Sequence, residues 1–159
     1  LKTTERLDNL AGQICKAIIP VKREYFVGGG KALAICTLSS LDLLEKISRM
    51  DEVMAKVAIA GRLLSENKGV DTIVKFSVEH PELARIIVCG REVKGHRAGQ
   101  ALISLWENGA DDKGRIIGAL GPYPVLRSDP KEITEFRDRL TLVDMIGVTA
   151  IDKILALVP

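Results

Sequence analysis

The densest run of chemistry-bearing residues is Cys89-Gly90-Arg91-Glu92-Val93-Lys94-Gly95-His96-Arg97-Ala98-Gly99-Gln100. Gly90, Gly95 and Gly99 leave room for a bulky planar ligand to approach the backbone closely. His96 falls at the start of a helical pattern, and the positive end of a helix dipole suits a neutral imidazole. A neutral ring is the form that ligates a metal. Glu92 stands close enough in sequence to accept a hydrogen bond from the ring's other nitrogen, as metal-bound histidines usually require. The same residues also fit a capped strand-to-helix turn with a surface histidine, and one His with three Gly does not separate the two readings.

Other constellations are weaker. The glycine spacing around Gly90, Gly95 and Gly99 is not GxGxxG, and Gly28-Gly29-Gly30 precedes a strand pattern instead of following one, so a nicotinamide enzyme fits poorly. Cys89 ends an apolar run and reads as a buried structural thiol before it reads as a nucleophile for His96. His80, just ahead of Pro81, reads as a helix C-cap. Two histidines and no CxxC pair argue against a conventional zinc site. Glu66-Asn67, in a polar break, and the loop Gly118-Ala119-Leu120-Gly121-Pro122-Tyr123-Pro124 are each suited to a ligand or to an ordinary turn.

These residues need elements to position them. Leu7, Leu10, Ile14 and Ile18 share one helical face over residues 3–19, stopped by Pro20. Residues 32–37 and 84–89 are continuous apolar strands, and residues 142–146 form a last one. Residues 115–120 read as a further strand that ends at Gly121-Pro122. Helices are expected from Ser39 or Ser40 to Ile47, over 70–80, 96–107 and 130–140, and after Thr149 to Leu157. Over residues 51–64 a helical stripe of Val53, Val57, Ala60, Gly61 and Leu64 outweighs the short apolar run 56–61, and a helix is expected. Strands alternating with amphipathic helices imply an α/β fold: a Rossmann-like parallel sheet with helices on both faces, in a single domain over 1–159 with segment 1–20 packed on it. Ligands in such folds sit beyond the carboxyl ends of the strands, which gathers the loops after Thr37, Cys89, Leu120 and Ile146 on one rim.

Composition narrows the field further. A chain of 159 residues buries about 69% of its unfolded surface and supports a core without staples. Lys and Arg exceed Asp and Glu by only two, with no clustered run, and aromatics are 4%; a nucleic-acid partner is therefore not expected. Three unpaired cysteines (Cys15, Cys36 and Cys89) suit a reducing compartment, and no apolar run approaches the ~20 residues of a membrane helix.

Three blocks then carry a resemblance: Ala58-Ile59-Ala60-Gly61 with Ser65-Glu66-Asn67-Lys68-Gly69-Val70; Arg85 to Gly90 through Gly95-His96-Arg97-Ala98-Gly99-Gln100; and Arg115-Ile116-Ile117-Gly118-Ala119 through Pro124. In this order they resemble the corrinoid-carrying A subunit of tetrahydromethanopterin S-methyltransferase from methanogenic archaea. The block Gly95-His96-x-x-Gly99-Gln100 after Cys89-Gly90 is the most specific. The resemblance implies a cobamide whose cobalt takes a methyl group from methyl-tetrahydromethanopterin and passes it to coenzyme M. It implies His96 as lower axial ligand and catalytic residue, with Gly90, Glu92, Gly95, Gly99, Gln100, Glu66, Asn67, Gly118, Leu120, Gly121 and Pro122 lining the cofactor. Cobalt(I) carries no axial ligand and cobalt(III) does, so binding and release of His96 would tie methylation state to loop position.

The implied partners are a methyltransferase subunit that delivers the methyl group and the membrane subunits of a sodium-exporting complex. The implied location is cytoplasmic, at the membrane through that complex or a C-terminal anchor. The sequence departs from the family pattern in two places: Ser65 replaces a Thr, and no membrane helix follows Pro159 within this sequence. Against the Asp-x-His-x-x-Gly motif of other cobalamin proteins, His96-x-x-Gly99 is kept but Lys94 stands where Asp would be. A soluble homologue serving another methyl donor, or a non-catalytic regulatory domain, would share the remaining features.

Overall fold

A computed structural model of the protein describes residues 24–159. The helix expected over residues 3–19, and Cys15 within it, lie outside the described residues. A five-stranded sheet runs in the order β1-β3-β2-β4-β5. Its strands are β1 (Tyr25–Val27), β2 (Leu33–Cys36), β3 (Ile59–Gly61), β4 (Arg85–Gly90) and β5 (Thr141–Ile146). β3, β2, β4 and β5 are mutually parallel, and β1 adds an antiparallel edge on β3. The Rossmann-like reading holds, with that edge strand as an addition.

The continuously apolar strands are covered on both faces, as their composition requires. Ala34 and Cys36 of β2, Ile86 and Val88 of β4, and Leu142 of β5 point to one face. There they meet α3 (Lys68–Glu79), α4 (Ala98–Asn108) and α5 (Pro130–Arg139). Leu33, Ile35, Ile87 and Cys89 point to the other, against α1 (Leu41–Ser48), α2 (Asp51–Met54) and α6 (Ile151–Leu155). This alternation is the period-two signature of a strand. α5 opens on a complete capping box, with Asp129 and Glu132 satisfying each other's end of the turn and Pro130 in the first position.

Four expectations are corrected. Residues 51–64 are not one helix: α2 ends at Met54, and Ile59–Gly61 pair with β2 on one side and β1 on the other. Gly28, Gly29 and Gly30 close over this segment, donating to the carbonyls of Ala58, Met54 and Val57 at 2.9, 2.8 and 3.1 Å. Backbone hydrogen bonds from both sides thus override the local helical preference. Residues 115–120 do not join the sheet; Ile116 and Arg115 make only isolated bridges, to Ala110 and Val125. Ala150, not Thr149, is the N-cap of α6. Ser40 does occupy the N-cap position of α1, but its hydroxyl accepts from the Arg91 N–H at 2.9 Å instead of capping the helix.

Candidate functional site

Parallel strands bring the loops that follow them to one rim, and here three segments converge. The loop after β3 carries Glu66 and Asn67, the loop after β4 carries Glu92 and His96, and residues 117–124 arrive from beyond α4. The loop after β2 abuts them: Ser39 Oγ donates to the Arg91 carbonyl at 2.8 Å. Gly90, at φ +81°, has no room for a side chain, because a Cβ would stand 2.3 Å from the Thr37 carbonyl oxygen.

At the centre, His96 Nδ1 lies 2.8 Å from Glu66 Oε2. The Glu66 side chain is 1% exposed, while that of His96 is 55% exposed. The other Glu66 oxygen, Oε1, accepts from the Tyr123 N–H at 3.1 Å. Burial by itself pushes the Glu66 carboxyl upward. Hydrogen bonds from the backbone of Glu66 and Tyr123, and then His96, outweigh that and hold it below the ordinary carboxylate value. An ionised carboxylate only accepts, so the ring proton sits on Nδ1, and a neutral ring presents its lone pair on Nε2. Among the described residues nothing bonds to Nε2.

The carboxylate on the His96 ring is thus Glu66, not the Glu92 that sequence proximity suggested. Glu92 instead caps α4: Oε1 accepts from Val93 N–H at 2.8 Å and Gly99 N–H at 3.0 Å, and Oε2 from Gln100 N–H at 2.8 Å. Arg97, the N-cap by position, adopts φ 50° and supplies no side-chain cap, so this carboxylate meets the unpaired donors of the first turn.

The third segment is clamped onto the other two. Gln100 Nε2 donates to the Gly118 carbonyl at 2.8 Å, and Gln100 Oε1 accepts from Leu120 N–H at 2.9 Å. Asn67 caps α3 through Lys68 N–H and donates to the Tyr123 carbonyl at 3.1 Å. Gly121 is buried against the loop of His96: a Cβ there would stand 2.3 Å from the His96 carbonyl oxygen. Leu120, 66% exposed, and Tyr123, 62% exposed, border this arrangement as apolar surface, with Pro122 exposed between them. Gly95, at φ +81°, has open space where a side chain would project.

Of the twelve expected site residues, nine fall on these three segments, Gly90 closes β4, and Gly99 and Gln100 stand in the first turn of α4. Sequence reading missed Tyr123, whose backbone does the work and leaves no side-chain signal. The thiols stay outside the chemistry: Cys36 and Cys89 are buried, and burial raises both to about 12. His80 caps α3, with Nδ1 2.8 Å from the Phe76 carbonyl and its ring stacked on Phe76. Among the described residues, no three His, Cys, Asp or Glu side chains cluster as a metal site, and no helix is long and apolar enough to cross a membrane.

Known proteins carry the same sequence pattern. The family model for the A subunit of tetrahydromethanopterin S-methyltransferase matches residues 15–159. A relative from Methanothermobacter thermautotrophicus, the second of its A subunits of tetrahydromethanopterin S-methyltransferase, is 40% identical over 84% of this chain and 71% of its own length. The corresponding A subunit of Methanocaldococcus jannaschii is 39% identical over 84% of this chain, which spans 55% of that protein. A Methanosarcina barkeri protein, named as the A subunit of a "Putative methyltransferase Mtx", is 32% identical over 92% of this chain and 71% of its own length. The match over nearly the whole chain, and the identity to relatives of which it covers more than two thirds, place this protein in the family of the tetrahydromethanopterin S-methyltransferase A subunit.

Proposed function

We propose that the chain is a cobamide-binding methyl carrier in which His96 Nε2 would ligate the cobalt. The observation that carries this reading is the Glu66–His96 pair. A buried, ionised carboxylate holds Nδ1 and leaves the remaining ring nitrogen of a half-exposed imidazole without a protein partner among the described residues. A carboxylate–histidine pair of this kind orients the ring and raises the basicity of the free nitrogen. Because no three His, Cys, Asp or Glu side chains cluster among the described residues, the site suits a metal already held by a macrocycle better than a bare ion.

His96, Gly95 and the exposed faces of Leu120, Pro122 and Tyr123 would hold the group, while Gly90, Glu92, Gly99, Gln100, Asn67, Gly118 and Gly121 set the shape of the loops beneath it. When bound, the cobamide supplies a cobalt that takes a methyl group from methyl-tetrahydromethanopterin and yields it to coenzyme M. The chain's own residues orient and hold. Glu66 keeps the proton on Nδ1, Tyr123 N–H fixes Glu66, and Gln100 fixes the loop that brings Tyr123. A partner methyltransferase would activate the methyl donor, and membrane subunits would couple the cycle to sodium export. The cytoplasmic side is the setting this requires.

A second reading is favoured by the Mtx relative, to which the chain is similar over 92% of its length. In that reading the same carrier serves another methyl donor in a complex of different composition.

The test is retention of hydroxocobalamin by the full chain through gel filtration, read from the visible spectrum. The proposal expects a stoichiometric complex whose spectrum changes in His96→Ala. A wild-type chain that emerges colourless overturns the carrier reading and leaves a non-catalytic regulatory domain. Given a complex, transfer assayed with methyl-tetrahydromethanopterin or another methylated donor separates the two carrier readings.

A further inference from the structure

α4 is buried along most of its length, yet it carries a polar stripe: Gln100, Ser104 and Asn108 recur at four-residue spacing and so share one face. Polar groups packed inside a fold need partners, and these find them in residues 117–120. Asn108 Nδ2 donates to the Ile117 carbonyl at 3.1 Å. Gln100 Nε2 donates to the Gly118 carbonyl at 2.8 Å and to Ser104 Oγ at 3.0 Å, while its Oε1 accepts from Leu120 N–H at 2.9 Å. Gly118, at φ +86°, packs on the stripe: a Cβ there would stand 3.0 Å from Asn108 Nδ2.

We infer that this stripe, with Gln100 at its head, is a positioning device for His96 that acts through the 117–124 loop. Gln100 hydrogen-bonds the loop, and what it fastens covers Glu66. Gly121 packs on the Glu66 stem, where a Cβ would stand 3.1 Å from Cγ, and Tyr123 N–H donates to Glu66 Oε1 at 3.1 Å. The loop thus contributes to the 1% exposure of that side chain. A carboxylate kept from water makes a stronger hydrogen bond, and here Oε2 faces His96 Nδ1 at 2.8 Å. A loosened loop admits water to Glu66, and that water competes with the ring for the carboxylate.

The chemistry of the side chain suits this task. An amide both donates and accepts, so one glutamine pins Gly118 and Leu120 together. Glutamate in its place would keep the acceptor for Leu120 N–H but turn a negative oxygen on the Gly118 carbonyl. The effect is read at His96 Nε2, whose lone pair exists in the neutral ring only while the proton stays on Nδ1. The use of that lone pair rests on the carrier reading above, whereas the chain of contacts from Gln100 to the ring does not.

Nitrogen-15 nuclear magnetic resonance of the full chain with labelled histidine, used without corrinoid, tests this, because the ring-nitrogen shifts report which nitrogen bears the proton. Spectra are taken at about pH 8.5, well above the ordinary histidine value, so that neutral rings are compared. The chain has two histidines, and His80, bonded to the Phe76 carbonyl at the C-terminal end of α3, serves as internal reference. The wild type is expected to hold His96 in the Nδ1–H form. Gln100→Ala and Gln100→Glu should each lower the ratio of Nδ1–H to Nε2–H forms by about 3-fold or more, the worth of one ordinary hydrogen bond, with His80 unchanged. A wild-type His96 in the Nε2–H form, or His96 shifts that match the wild type in both variants, overturns the inference. Parallel movement of His80 and His96 also overturns it, because the stripe then supports the fold at large. Failure to retain hydroxocobalamin overturns the carrier reading alone, since this readout needs no corrinoid.

Discussion

Glu66 is a buried charge whose every polar demand is met within the loop cluster. Both oxygens are engaged, by His96 and by the Tyr123 N–H. Glu66→Gln offers only one accepting oxygen and so strands one donor; a cost of about 1–3 kcal/mol in denaturant unfolding is expected. Folding lowers the Glu66 pKa, so the stabilisation is complete above the ordinary value of 4.5 and fades as pH falls through the lower folded-state value. Wild-type stability measured across that acid window should therefore drop more steeply than that of Glu66→Gln. The His96 position was legible from its block, but its partner was not. Sequence proximity favours Glu92, four residues away, whereas Glu66 is thirty residues distant and arrives only because β3 and β4 end on the same rim on either side of β2. The visible trace was a Ser-Glu-Asn-Lys break directly after a short apolar run.

Glu92 and Gly121 act at the scale of elements. Glu92→Ala leaves the Gly99 and Gln100 N–H groups at the start of α4, and the Val93 N–H in the loop before it, without their acceptor. Loss of a cap typically costs about 1 kcal/mol, and thermal unfolding should register a destabilisation of at least that size. Gly121→Ala forces a methyl group toward the His96 carbonyl at 2.3 Å, so the 117–124 loop or the His96 loop must move. Overpacking of this sort costs about 1–3 kcal/mol and should weaken hydroxocobalamin retention while the sheet's circular dichroism is unchanged. Helices with caps and clean stripes, such as α3 and α5, were legible. β3 was not: three residues carry too little pattern, and its pairing with β1 and β2 is non-local. Residues 115–120 misled for the opposite reason. Their apolar content suits a strand, but Gly114 and Gly118 turn the chain at φ +81° and +86°, and Gln100 and Asn108 tie the carbonyls of Gly118 and Ile117 to α4.

At the scale of the whole molecule, the sheet separates a polar rim from an apolar interior. Cys36 and Cys89 lie inside, with thiols raised to about 12 by burial, so iodoacetamide at neutral pH should leave both unmodified in the native protein and alkylate both after denaturation. The rim, by contrast, gathers a single histidine, the carboxylate that orients it and a clamped apolar loop. Family membership and this geometry meet in one claim: that His96 is the protein's ligand to a cobamide. Cobalt(II) electron paramagnetic resonance of the full chain, loaded with hydroxocobalamin and reduced by one electron, tests it most directly. The predicted spectrum carries a nitrogen splitting that changes when histidine is labelled with nitrogen-15 and is lost in His96→Ala. Bound cobalamin whose splitting ignores the label, or survives the substitution, would contradict the assignment of His96.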